Sequence, residues 1–252
     1  VLEFSLLKIR LDKLLVERGL VPSPERAQAL ILAGRVLVDE QKVIAVGAHT
    51  GKDVIVRLLG VEKKYVSRGG LKLEKALSHW KIDVREKICL DIGASTGGFT
   101  DCLLQHGAAQ VFAVDTGYGQ IDFRLRNDPR VHLLEKTNAR YLTREELGET
   151  AHFIATDVSF ISATTLLPAV IRAAFPESKQ GRQIVILVKP QFEANREFVE
   201  RGGIVRNIEA QNAAVEKVRK ALVTLQCRST DVIESPILGA EGNREFLLYG
   251  LF

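Results

Sequence analysis

Apolar positions follow two different rhythms along this 252-residue chain, and the change of rhythm divides it. Near the start, Leu11, Leu14, Leu15 and Arg18 fall at helical spacing over 9–18, and Gly19 stops the run. Ser23, Pro24 and Glu25 form a helix start: the serine caps, the proline fits the first turn, and the glutamate complements the dipole. Ala27, Leu30 and Ile31 supply the buried face of that second helix, and Gly34 ends it. Short β-rich runs at 36–38, 43–46 and 54–58 follow. A helix with Leu73, Ala76, Leu77 and Trp80 on one face comes next. From there, strand-length runs at 88–92, 111–114, 131–134, 153–158, 184–188, 231–235 and 245–249 alternate with helical periods near 97–106, 161–174 and 207–225. Such alternation predicts an α/β fold with a mostly parallel, Rossmann-like sheet covered on both faces, preceded by a small N-terminal α+β domain. Gly69 and Gly70 mark the boundary, giving a first domain at 1–62, a linker at 63–70 and a second domain at 71–252.

The ligand of such a sheet belongs at the carboxyl ends of its strands. There the run 88–92 meets the turn Gly93-Ala94-Ser95-Thr96-Gly97-Gly98, which opens the helix carrying Phe99. Asp91 closes the first strand and Asp115 the next, and a glycine turn followed by a second-strand acid describes a nucleoside cofactor site. The spacing is not G-x-G-x-x-G and no Gly-Lys-Ser/Thr follows, so a pyrophosphate or P-loop ligand is excluded. S-adenosylmethionine, which carries no phosphate, is the cofactor this turn suits. Asp115 would accept from ribose hydroxyls or cap a helix, and Asn138 would read an adenine edge or serve as a turn residue.

Bulk composition narrows the class. With 46% hydrophobic and 26% charged residues the chain is an ordinary globular one, and no run nears the ~18 residues of a membrane helix. Neither a signal peptide nor a membrane partner is indicated, and no protein partner is called for. Cys89, Cys102 and Cys227 are odd in number and lack a C-x-x-C pair, so neither a disulfide framework nor a metal site is expected; a reducing cytoplasm fits. The net charge of +4 lies wholly in residues 1–70, which hold 12 Lys and Arg against 8 Asp and Glu. A local basic excess suits a nucleic-acid binder, with Arg10, Lys13, Arg26 and Arg35 flanking the first two helices. A merely solvated face would look similar.

The first domain, through Arg10-Leu11-Asp12-Lys13, Ser23-Pro24-Glu25-Arg26 and Ala33-Gly34-Arg35-Val36, resembles the S4 RNA-binding domain. That resemblance implies binding of structured RNA by shape and backbone charge.

At the second domain's strand ends, two chemistries are disfavoured. After Asp157, Val158 and Ser159 stand where amino-nitrogen methyltransferases carry paired prolines, and no cysteine lies at a strand end to attack a pyrimidine C5. Lys189, closing the apolar run 184–188, is costly to bury unless used, and Pro190 fixes the backbone after it. A lysine snorkelling at the sheet rim is the alternative.

The motifs Ser67-Arg68-Gly69-Gly70-Leu71-Lys72, Asp91-Ile92-Gly93-Ala94-Ser95-Thr96-Gly97-Gly98, Asp157-Val158-Ser159-Phe160, Val188-Lys189-Pro190-Gln191-Phe192-Glu193 and Gly242-Asn243-Arg244-Glu245 together resemble the TlyA (hemolysin A-like) family. The resemblance implies an S4 domain fused to an FtsJ-like, S-adenosylmethionine-dependent enzyme that methylates ribose 2′-hydroxyls of ribosomal RNA. It implies a catalytic tetrad of Lys72, Asp157, Lys189 and Glu245, with Glu241 a rival for the last place, and Arg68 beside the RNA. In that scheme Lys189 takes the proton of a hydroxyl attacking the methyl carbon, while Asp157 orients its amine. Neighbouring positive charge, from Lys72 and the sulfonium, favours the neutral amine that a base must be. Ribosomal RNA or ribosomal subunits would be the partner. A binding protein with an inactive cofactor domain, or a hemolysin, are the alternatives.

Overall fold

The computed structural model describes residues 8–21, 23–60, 64–175, 180–239 and 242–252. The chain forms two compact units, Val1–Lys63 and Lys64–Phe252.

In the first unit a strand β1 (Lys8–Arg10) leads directly into α1 (Leu11–Glu17), followed by α2 (Pro24–Leu32) and the short strands β2 (Val36–Val38), β3 (Gln41–Val43), β4 (His49–Gly51) and β5 (Val56–Leu58). The second helix starts as its sequence dictates: Ser23 Oγ accepts from the Arg26 N–H at 3.3 Å, with Pro24 in the first turn. Leu11, Leu15, Ala27, Leu30, Ile31 and Val36 close a small core between helices and strands. Two expectations shift. The first helix begins at Leu11 because 8–10 pairs antiparallel with 49–51. The run 43–46 is not a strand: the turn at Asp39 and Glu40, both at positive φ, sets the register Val36↔Val43, so pairing ends there and Ile44 and Val46 are exposed.

The second unit begins with α3 (Gly69–His79) and continues through β6 (Ile88–Ile92), α4 (Gly98–Gln105), β7 (Gln110–Val114), α5 (Phe123–Arg126), β8 (Val131–Leu134), α6 (Arg144–Leu147), β9 (Phe153–Thr156), α7 (Ala163–Ala174), β10 (Gln183–Val188), α8 (Pro190–Glu193), α9 (Ile208–Thr224), β11 (Ser229–Glu234) and β12 (Phe246–Leu251). These strands make one seven-stranded sheet in the order β11-β12-β10-β9-β6-β7-β8. Strands β6 to β10 run parallel, and β12 lies antiparallel between β10 and β11. Alternation along each strand separates two apolar layers. Leu90, Ile92, Ile154, Ile184 and Ile186 pack with α7 and α9, whereas Cys89, Val111, Phe153, Val185 and Leu187 pack with α3 and α4. Each fully buried Leu or Ile here contributes about 1.5–3 kcal/mol.

Residues 64–70, read above as linker, pack into this second unit. Tyr65 is buried, and the Val66 N–H donates to Asp101 Oδ2 at 2.8 Å. Gly70 permits this packing, since a Cβ there would lie 2.3 Å from the Tyr65 ring.

Candidate active site at the carboxyl edge of the sheet

The register of the sheet gathers the expected site residues. Thr156 pairs with Ile92 and with Ile186, so Gly93 and Asp157 leave the sheet side by side. Val188 pairs with Phe246, so Lys189 emerges next to Glu245. The reversal of β12 matters here, because it brings the start of that strand to the edge where the parallel strands end.

At this edge the glycine turn is held by its neighbours. Gly93 has φ +85°, and a Cβ on it would lie 2.3 Å from the Asp157 carbonyl oxygen, so only glycine fits. Gly97, at φ +96°, precedes the first turn of α4, where Gly98 and Phe99 lie. Asp115 Oδ2 accepts from the Ser95 N–H at 2.8 Å and Oδ1 from the Gly117 N–H at 2.6 Å, which ties the turn to the end of β7.

Two ion pairs face one cavity. Lys72, from α3, places Nζ 2.6 Å from Glu245 Oε2, and both groups are nearly inaccessible. Lys189 Nζ lies 2.6 Å from Asp157 Oδ1 and donates to Ser159 Oγ at 2.8 Å. All four residues line a cavity of about 600 Å³ together with Gly93, Ala94, Ser95, Gly98 and Phe99 of the glycine turn and with Arg68. Glu193, buried in α8, braces the wall. It accepts from Ser162 Oγ at 2.5 Å and the Ala163 N–H at 2.6 Å and pairs with Lys217 at 3.3 Å. This couples the segment after Lys189 to the start of α7.

Four of the expected cofactor residues lie off the cavity wall: Asp91, Gly97, Asp115 and Asn138. Asp91 is wholly buried behind the turn, accepting from Thr100 Oγ1 at 2.6 Å, and burial pushes its carboxyl up to about 7. Asn138 Oδ1 accepts from the Arg140 N–H at 3.1 Å, the turn role left open by the sequence. Glu241 lies outside the described residues.

Other wall residues had no signal in the apolar pattern: Ser159, Phe160, Gln191, Phe192, Gly202, Gly203 and Asn243. Phe160 is 93% exposed, sits at φ +65° and has its ring 5.3 Å from that of Phe192. An apolar residue so exposed in a strained conformation is invisible to periodicity, because it answers to no core.

The cysteines behave as small core residues. Burial pushes the Cys89 and Cys102 thiols up to about 12, which suppresses the nucleophilic thiolate. Among the described residues no cluster of His, Cys, Asp and Glu could hold a metal ion, and no helix is long and apolar enough to cross a membrane.

In the first unit, Lys13, Arg26 and Arg35 are exposed on or near α1 and α2. Arg10 is partly neutralised: its Nη2 lies 2.6 Å from Asp12 Oδ2, and this contact holds the buried Asp12 carboxyl below the usual carboxylate range. Arg35 Nη1 donates to the Gly60 carbonyl at 3.3 Å.

Comparison with known proteins agrees with this architecture. The FtsJ-like methyltransferase family matches residues 65–252, and the S4 domain matches residues 9–44. A Bacillus subtilis relative, the rRNA methyltransferase candidate YqxC, is 44% identical over 96% of this chain and 85% of its own length. The Mycobacterium tuberculosis 16S/23S rRNA (cytidine-2′-O)-methyltransferase TlyA is 43% identical over 96% of this chain and 89% of its own. Among solved structures, a hemolysin candidate from Streptococcus thermophilus superposes with a TM-score of 0.73 at 39% identity, covering 98% of this chain and 89% of that one. The chain therefore belongs to the FtsJ-like methyltransferase family, in the TlyA group that carries an S4 domain ahead of the catalytic fold.

Proposed function

We propose that this protein methylates ribose 2′-hydroxyls of ribosomal RNA, using S-adenosylmethionine as donor. The observation that carries this reading is the pair of lysine–carboxylate contacts, Lys72–Glu245 and Lys189–Asp157, facing one cavity beside a glycine turn. The cavity also fits the donor. At about 600 Å³ it falls within the range of small-molecule sites, and Gly69, Gly93, Gly98, Gly202 and Gly203 keep much of its wall free of side chains. When bound, S-adenosylmethionine supplies an electrophilic methyl group on a positive sulfur.

The remaining chemistry belongs to the chain. A ribose hydroxyl is a weak nucleophile, so Lys189 accepts its proton as the oxygen attacks. Asp157 holds that amine in place. Lys72, held in place by Glu245, steadies the alkoxide as it forms. Holding donor and hydroxyl in register can supply several kcal/mol of the barrier, about 7–11 at best. Phe160 and Phe192 offer a face on which the base of the target nucleotide stacks; stacking of this kind contributes about 1–3 kcal/mol per base. The S4 unit, with Lys13, Arg26 and Arg35 exposed, supplies the sequence-independent grip on phosphates, and Arg68 at the cavity adds to it. Cytidine, the nucleoside in the name of the TlyA relative, is the first target to try. Such a substrate places the protein with ribosomes in the cytoplasm.

The test is transfer of tritiated methyl groups from S-adenosylmethionine to ribosomal RNA, with the product mapped by its resistance to alkaline cleavage. Lys189→Ala should abolish transfer while binding the cofactor normally. Transfer by that variant at wild-type rate, or a methyl group found on a base, would overturn the reading. So would binding of both ligands with no transfer by the wild-type protein.

A further inference from the structure

We propose that Ser159 is a positioning residue that aims the lone pair of Lys189 into the cavity. The inference rests on the reading of Lys189 as the base and goes beyond the tetrad. A neutral amine has two N–H bonds and one lone pair, and only the lone pair can take the proton of the ribose hydroxyl. Torsion about the last carbon–nitrogen bond of lysine costs little, so the lone pair points usefully only if neighbouring groups fix that rotation.

One charge and one hydrogen bond do this from a single loop. Asp157 Oδ1 is close to Nζ, at 2.6 Å, yet no hydrogen bond reaches that oxygen, so its hold is electrostatic and weakly directional. Among the described residues the one hydrogen bond from Nζ goes to Ser159 Oγ, at 2.8 Å. The Ser159 oxygen thus fixes the direction of one N–H, and the adjacent Asp157 carboxylate repels a lone pair turned toward it, so the lone pair is left to face the cavity. The backbone supports this arrangement. Phe160, the next residue, is held at φ +65°, so the chain turns sharply just after the serine. The methyl-transfer chemistry is unchanged: the proton passes from the ribose oxygen to Nζ, and that oxygen's electron pair forms the bond to the methyl carbon. Ser159 donates and receives nothing in the net reaction; it orients.

Ser159 is exposed, so truncating it leaves the core intact and a larger side chain has room. The experiment compares Ser159→Ala, Ser159→Thr and Lys189→Ala by single-turnover methylation of ribosomal RNA, with cofactor and RNA affinities measured separately. Ser159→Ala should lower the single-turnover rate by about 10- to 100-fold, with both affinities within about twofold of wild type, because only the reacting geometry is lost. Ser159→Thr, which keeps the hydroxyl, should recover the rate to within about threefold. Three results overturn the inference: an alanine variant at wild-type rate while Lys189→Ala is dead, equal losses in the alanine and threonine variants, or a loss explained by weaker cofactor binding. An active Lys189→Ala variant would instead overturn the assignment of the base on which this inference stands.

Discussion

Asp91 offers a test in which the site's electrostatics appear as stability. Its carboxyl is wholly inaccessible, has a single hydrogen bond from Thr100 and leaves Oδ1 without a partner. Burial first, then the nearby charges of Asp157 and Asp115, raise it from 3.8 to about 7. The native state therefore keeps a proton that the unfolded chain releases near pH 4. Between those two values the native state binds more protons, so stability falls as pH rises, by up to 1.36 kcal/mol per pH unit. Over about three units the loss is on the order of 4 kcal/mol, complete a little above pH 7. Asp91→Asn removes this titration. The new amide costs about 1–3 kcal/mol if one of its N–H groups stays unpaired, but that penalty does not vary with pH. The readout is urea unfolding followed by the fluorescence of Trp80, the chain's single tryptophan, which stacks on Tyr249 and so reports the catalytic unit. Stability of wild type minus variant should fall steadily from pH 4 to pH 7 and then flatten. A difference that stays constant across that range would refute the reasoning.

Other changes probe the same edge. Gly93→Ala should weaken S-adenosylmethionine binding at least tenfold by calorimetry, because its Cβ would meet the Asp157 carbonyl at 2.3 Å and must push the turn away from β9. Lys72→Met alone should destabilise the catalytic unit by about 3–5 kcal/mol, leaving Glu245 buried without its counter-charge, whereas Lys72→Met with Glu245→Gln should restore most of the stability but no activity. Glu193→Ala should cost about 2–3 kcal/mol in the same unfolding assay, since it strips the start of α7 of two hydrogen bonds and Lys217 of α9 of its ion pair. Removing residues 1–63, a cut that spares the packed Tyr65, should weaken RNA affinity and flatten its salt dependence while cofactor affinity stays within about twofold.

Much of the sheet was legible because its strands are buried on both faces and read as short, uninterrupted apolar runs. The ends of those runs mark Gly93, Asp157 and Lys189 from the sequence alone. Lys72 and Glu245 were legible only through family resemblance: one sits on a helix and the other before a strand, and nothing local announces that they meet. Asp91 misled for a simple reason. A carboxylate beside a glycine turn looks like a ligand contact, but its place within β6 points it into the core, where Thr100 meets it. The first unit was read coarsely because its strands are three residues long, too short for alternation to fix their register, so the turn at Asp39 and Glu40 decided the pairing. Ser159 and Phe160 are exposed on the cavity wall and pack into no core, so hydrophobic patterning carries no record of them.

The bond between Lys72 and Glu245 joins residues 173 positions apart. Until β12 slots beside β10, the helix carries an ammonium with nowhere to put its charge, and the sheet has a raw edge open to aggregation. Shortened or clipped molecules lacking that strand should thus be removed as misfolded chains. A single contact thereby ties the integrity of the sheet to that of the cavity beside it.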